Sequence, residues 1–377
     1  MHTMLCKIFF LLAVLFPVAS AAQPVDDTYV TGTVVQIVRQ YEDQPLGFSR
    51  TVQDVMIELS EGKTISLEHA VVAGQAGLGL VEEGQRIVLE RLQKADGSVE
   101  YFIRDAYRLP ALLWLAAGFL ILSVLFGRVI GATSVLGLAV SIVILVAVVM
   151  PLIVRGHDPL LVSFGGAVGI ACSSLLLAHG FRRRTYIALA STLLSLGLST
   201  VLALFAVWLS HLSGLGSEET VFLQAGKLAG VNLQGLLLGG IIIGCLGVLD
   251  DITTAQTAAV DEICRANPSL TKSAVLRAGM SVGREHIASL TNTIALAYVG
   301  ASFPLLLLLQ AESQFPLWST LNLEFFAEEI VRTLVGSTTL VLAVPLSTWL
   351  AVRFLHGRHR AGDDEAFHHH HHHGHAL

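Results

Sequence analysis

The run Gly244 to Glu262, GCLGVLDDITTAQTAAVDE, carries an apolar segment straight into two adjacent carboxylates, Asp250 and Asp251, and a ladder of hydroxyls. Charged side chains at bilayer depth are penalised by roughly 2.5 to 3.5 kcal/mol on insertion scales, so those that persist pair, line a wet cavity or bind an ion. Continued as a helix past Leu249, the run places Asp250, Thr254, Thr257 and Asp261 on one face, with Asp251 to one side. Beyond Pro268, Ser281, Glu285, Ser289 and Asn292 share a face in the same way, and Thr291 adjoins Asn292. Two consecutive antiparallel helices that turned these faces toward each other would gather the oxygens of Asp250, Asp251, Thr254, Glu285, Ser289, Thr291 and Asn292 in one site. Oxygen ligands suit hard cations, ionisable carboxylates suit protons, and softer metals prefer imidazole or thiolate. His286 points about 100° away from Glu285 on a helix, so no His–carboxylate ligand pair is implied.

Two other readings of the same residues stay open. Asp250, Asp251, Asp261 and Glu285 could be interfacial groups, solvated or paired with Arg277 and Arg284. The aspartate pair could also serve as acid and base in a membrane-embedded hydrolase. No catalytic residue set is legible, because Ser163 and Ser195 lack a base placed by any motif and no Gly-x-Ser-x-Gly element occurs. The Gly-Gly pairs do not follow a strand into a phosphate loop, and no cofactor is expected.

The elements that must position these residues are membrane helices. Hydrophobic residues make up 53% of the chain and charged ones 14%, with mean hydropathy +0.68, a composition far from that of soluble domains. Residues 1–22 have the pattern of a cleavable export signal: Lys7, an apolar run from Ile8 to Val18, then Ala19, Ser20, Ala21 and Ala22. An uncleaved anchor is the alternative, but the run is short for a span of roughly 20 residues. Residues 23–109 read as an exported β domain. Val55, Ile57 and Leu59, then Ile65 and Leu67, then Val99, Tyr101 and Ile103 repeat with a period of two, and segments Tyr29 to Val38 and Arg86 to Leu92 complete about five strands. Asp96 and Gly97 mark a hairpin turn. A small OB-like or related barrel is expected, serving as a cap or a docking module for an extracytoplasmic protein partner. Cys172, Cys245 and Cys264 are too scattered for a disulfide set or a zinc site.

From residue 110 to 355 seven apolar stretches follow: about Ala111 to Phe126, Gly131 to Val154, Pro159 to His179, Tyr186 to Leu209, Val231 to Leu249, Ile287 to Leu309 and Ile330 to Phe354. The fold class expected is therefore mainly α, a polytopic bundle of about seven spans behind a small β-barrel-like domain. With that domain outside, an odd number of spans puts the C-terminus inside. Arg128, Arg182, Arg183, Arg184, Arg265, Lys272, Arg277, Arg284, Arg353, Arg358 and Arg360 then fall on the inner side, and Arg155, Lys227 and Arg332 on or near the outer side. The positive-inside bias agrees with the export signal, and a bacterial plasma membrane is the expected location. Gly235, Gly239, Gly240, Gly244 and Gly247 strip side chains from much of one face of the fifth stretch, and Gly165, Gly166 and Gly169 do so in the third. Such glycines either admit a neighbouring backbone or leave room for a permeating species.

The segments from Gly244 to Glu262, SVGREHIASLTNTIALAYVGASFPLLLLL from Ser281 and EEIVRTLVGSTTLVLAVPLSTWLA from Glu328 resemble the YibE/F-like family of multi-pass bacterial membrane proteins. Gly283, Arg284, Glu285, His286, Thr291, Asn292 and Thr293 carry the most specific part of that resemblance, which runs over about Thr28 to Leu355. It implies a polytopic membrane fold and supplies no mechanism. In residues 356–377, six consecutive histidines from His368 to His373 bind nickel or zinc weakly whatever the protein does, as a native tail or a purification tag. The function expected is a transporter or permease for an ion or a cation-coupled small solute. A non-transporting membrane scaffold whose outer β domain binds a partner is the alternative. Lipid is the expected environment, a homo-oligomer is compatible, and nothing supports nucleic-acid binding.

Overall fold

A computed structural model of the chain describes residues 28–43, 50–72, 78–94, 97–226, 228–311 and 316–357. The export signal, Asp96, Lys227 and the histidine-rich tail lie outside the described residues. The chain divides into two units, Met1–Arg128 and Val129–Leu377.

The first unit contains five antiparallel strands: β1 (Tyr29–Asp43), β2 (Arg50–Leu59), β3 (Thr64–Val72), β4 (Arg86–Gln93) and β5 (Val99–Ala106). Their order is β3-β2-β1-β4-β5, and the edge strands β3 and β5 approach each other, so the sheet is a nearly closed barrel. The period-two pattern decides what faces inward: Val34, Val55, Ile57, Leu59, Ile87 and Leu89 are all at most 3% exposed. Curvature comes from β1, which runs five residues beyond the Val38 end read from sequence and shifts register between Val34 and Gln36 and between Ile37 and Arg39. Gly97, at φ +83°, donates its N–H to the Lys94 carbonyl at 3.0 Å and closes the β4–β5 turn.

The helices are α1 (Leu109–Val154), α2 (Pro159–His179), α3 (Arg183–Leu209), α4 (Glu218–Ala225), α5 (Leu233–Ala266), α6 (Lys272–Ala301), α7 (Phe303–Ala311), α8 (Leu317–Leu321) and α9 (Glu324–Leu355). Five of them, α1, α2, α3, α5 and α9, are each long and apolar enough to cross a membrane. α1, at 46 residues, is twice the roughly 20 a crossing needs, and its helix breaks at Arg128 (φ 51°, ψ −130°). Its two limbs correspond to the first two apolar stretches of the sequence. The sixth stretch is bent: α6 and α7 meet at 69° around Ser302. Every stretch read from the sequence thus has a helical counterpart, and the protein is a membrane protein.

Helix starts follow local chemistry. Asp158, Asn232 and Thr271 accept backbone N–H groups of Leu161, Gly235 and Ala274 at 3.0, 3.0 and 3.3 Å, capping α2, α5 and α6. α3, α5 and α9 pack mutually, α2 lies on α5, and α6 lies on α5 and α9. Leu196, Ile241, Ile242, Leu249, Ile252 and Val344 are fully buried in that core.

Candidate functional site

α5 continues unbroken past Leu249 to Ala266, so Asp250 and Asp251 stand inside a helix. A cavity of about 360 Å³ opens beside them, walled by the second limb of α1 (Ser134, Gly137, Ser141), α2 (Ser174, His179) and α5 (Gly247, Asp250, Asp251, Thr254). Ser174 Oγ donates to Asp250 Oδ2 at 2.8 Å, whereas Asp250 Oδ1 is buried and has no hydrogen-bond partner. Thr254 donates back to the Asp250 carbonyl and to that of Asp251 (3.1 Å), which leaves its lone pairs for a guest. Asp251 is more exposed than Asp250 and shares the cavity with the His179 imidazole. A carboxylate with one neutral donor and one unpaired oxygen is a poor structural choice, since desolvating an unpaired charge costs several kcal/mol.

The second expected stripe goes elsewhere. α6 meets α5 and α9 through Gly279 and Gly283: a Cβ on Gly279 would lie 2.9 Å from Thr348 Cγ2, and one on Gly283 3.1 Å from Gln256 Nε2. At about 100° per residue, Glu285, Ser289 and Asn292 stand roughly 180° to 240° around the helix from Gly283. They are exposed and do not line the Asp250 cavity. Small residues, not the polar stripe, set the rotation of α6. Thr291 is half-buried with its hydroxyl unpartnered, and His286 Nδ1 is likewise buried without a partner. On α5, Thr257 is fully buried, and Asp261 pairs with Arg265 at 3.3 Å. Among the described residues, no group of three or more His, Cys, Asp or Glu side chains is arranged to hold a metal ion.

A larger cavity, about 680 Å³, was not anticipated from sequence. It is lined by Glu218 and Glu219 of α4, Leu237 and Gly240 of α5, Ser302, and Glu328, Glu329 and Arg332 of α9. Carboxylates in the first turns of α9 hold its rim, where the helix dipole favours negative charge. Glu324 accepts from Ser213 Oγ at 2.7 Å and Gly214 N at 2.9 Å, and Glu328 accepts from Gly216 N at 2.9 Å. Ser302 Oγ donates to Glu329 at 3.1 Å, Arg332 lies 3.6 Å from the same carboxylate, and Arg332 Nε is buried without an acceptor. The sequence did carry a signal here: Ser217, Glu218, Glu219 and Thr220 make a capping box with an acidic first turn, and Glu328 and Glu329 open the last apolar stretch.

The α5 glycines divide between the two roles. A Cβ on Gly239 would collide with Ser163 of α2, and one on Gly235 would lie 3.4 Å from Pro159. Gly244 faces the Tyr298 hydroxyl. Gly240 and Gly247 meet nothing within 4 Å and instead line the larger and smaller cavities.

Searches among curated proteins and among solved structures returned no match. The family model described as YibE/F-like protein matches residues 115–357, from within α1 to the end of α9, and leaves the β unit outside the match. That span is well over half of the chain and contains both cavities, so the protein belongs to the YibE/F-like family.

Proposed function

We propose that this chain is a permease of the bacterial plasma membrane for a small cation or a cation-coupled solute, with its β unit outside and its C-terminus in the cytoplasm. One observation carries the reading: Asp250, which lines a cavity among membrane helices, keeps a buried carboxylate oxygen without a hydrogen-bond partner. Such a group is retained where a guest completes its coordination. Asp250 is the principal ligand, Asp251 and Thr254 assist, and Ser174 orients the carboxylate. Glu285, Ser289, Thr291 and Asn292 stand outside this ligand set.

Two cavities border one helix at different levels, and this favours passage over storage. The larger reaches α5 at Leu236 to Gly240, the smaller at Ile243 to Thr254. Gly240 and Asp250 are ten residues apart, about 15 Å along the axis. The arginine-rich turn at Arg182 to Arg184 supports the inner assignment of the Asp250 end. Anomalous diffraction from crystals soaked in rubidium or manganese tests the reading: it expects a peak within bonding distance of the Asp250 carboxylate, absent in Asp250→Asn. A dry, closely packed site in both would sink it.

The scaffold reading has its own observation. Tyr29, Val35, Val38 and Tyr41 of β1 are 44–52% exposed, apolar side chains on which a protein partner could dock. Removal of residues 28–104 would then abolish the cellular phenotype while Asp250→Asn preserved it.

A further inference from the structure

Glu324 and Glu328 of α9 both hold the loop before α4, but they use their oxygens differently. Both oxygens of Glu324 accept from Ser213 Oγ, at 2.7 and 2.9 Å, and Oε1 also accepts from Gly214 N at 2.9 Å. Glu328 uses one: Oε1 accepts from Gly216 N at 2.9 Å, and among the described residues nothing donates to Oε2. The residue is 5% exposed and lines the larger cavity. Only glycine admits this contact, since a Cβ on Gly216 would lie 2.7 Å from Oε1. A carboxylate buried with a single neutral donor is costly to keep unless something else completes its coordination.

Arg332, one turn further along α9, has donors where Glu328 has an acceptor. Among the described residues no group accepts a hydrogen bond from its guanidinium: Glu329 lies at 3.6 Å, an ion-pair distance, and Nε is buried without an acceptor. Residues four apart on a helix are neighbours, about 6 Å apart at Cβ, so an unfilled acceptor and unfilled donors border the cavity side by side.

Charge and shape select the guest. Glu218, Glu219 and Glu329 also line the cavity, so a simple anion on Arg332 would sit among like charges. A simple cation would satisfy Glu328 and leave the guanidinium donors unfilled. A zwitterion supplies a donor to the one and an acceptor to the other, each through a charge-assisted hydrogen bond. Leu236, Leu237, Leu305 and Phe325 make part of the remaining wall apolar. A volume of about 680 Å³ lies within the roughly 300–1,000 Å³ of small-molecule sites, which join apolar walls to a few placed polar groups.

We propose that the larger cavity binds a small zwitterion with an apolar side chain, of the α-amino-acid class, its ammonium on Glu328 and its carboxylate on Arg332. This deepens the permease reading by naming the solute that a cation at Asp250 accompanies; transport rests on that reading, and binding does not.

The test uses the full chain in phosphatidylglycerol nanodiscs, with binding read by titration calorimetry and competition. The probes are L-leucine and L-phenylalanine, the amines that lack their carboxylate (isoamylamine, phenethylamine) and the acids that lack their amine (isocaproate, hydrocinnamate). At least one amino acid should bind about tenfold or more tighter than its amine and its acid, in the unaltered chain. Glu328→Gln, whose amide oxygen can still accept from Gly216, should weaken the amino acid and the amine and spare the acid. Arg332→Gln should weaken the amino acid and the acid and spare the amine. No binding of either amino acid, a half that binds as tightly as its parent, or variants that weaken both halves alike would overturn the proposal. Phosphatidylethanolamine also carries an ammonium beside an anion, and loss of amino-acid binding on its addition would overturn the proposal in favour of lipid. Failure of the permease reading would appear separately, as amino-acid binding without uptake into proteoliposomes.

Discussion

Ser174 on α2 donates its hydroxyl to Asp250 on α5 at 2.8 Å and so orients this carboxylate beside the cavity that both residues line. Ser174→Ala removes that donor and frees the carboxylate to rotate. A hydrogen bond to a charged group contributes about 1.5–3 kcal/mol, so melting in detergent should shift down by a corresponding amount. Cation binding should weaken with it, read by titration calorimetry.

Neighbouring glycines of α5 should respond in opposite directions. A methyl group on Gly239 would run into Ser163 Oγ and Cβ on α2, and overpacking of this kind costs about 1–3 kcal/mol. A methyl group on Gly240 meets nothing within 4 Å, and alanine in a helix gains about 0.5–1 kcal/mol over glycine. Thermal melts of Gly239→Ala and Gly240→Ala should therefore fall on either side of the unaltered chain.

Much of this arrangement is written in local pattern. The strand positions of Val55, Ile57 and Leu59 follow from a period of two, and the apolar stretches follow from hydropathy, because burial in a barrel or in lipid selects residues one by one. Asp250, Asp251 and Thr254 meet in one cavity because i, i+4 spacing on a single helix is a local property. The placement of Glu285, Ser289 and Asn292 was not local. It depended on how α6 rotates against its neighbours, which Gly279 and Gly283 decide by admitting Thr348, Val260 and Gln256. Ser174 as partner of Asp250, 76 residues away, could not be read from spacing at all. The acidic cavity was not local either: α4 and the start of α9 are distant in sequence, and Glu324 and Glu328 tie α9 to the loop that precedes α4.

Exposure makes Glu285 a discriminating control. It lies on the face of α6 away from Gly283, so Glu285→Gln should change stability by no more than about 0.5 kcal/mol and leave cation flux intact. A loss of flux with unchanged folding would return the α6 residues to the ligand set.

In the β unit, Gln53 is 1% exposed and satisfies Val81 from both sides: it accepts the Val81 N–H at 2.8 Å and donates to its carbonyl at 3.2 Å. Gln53→Leu leaves both backbone groups buried and unpaired. Each orphaned group costs about 1–3 kcal/mol, and this variant should be among the most destabilised in the barrel by denaturant titration.

The most direct test of the central claim is the cation flux of Asp250→Asn in proteoliposomes, measured beside its melting temperature. Asparagine keeps the shape, can still accept from Ser174 and removes an unpaired buried charge, a change that is neutral or stabilising when the charge serves binding and not structure. The account requires flux to fall to the level of empty vesicles while the melting temperature holds or rises. Undiminished flux, or loss of flux only through loss of folded protein, would contradict it.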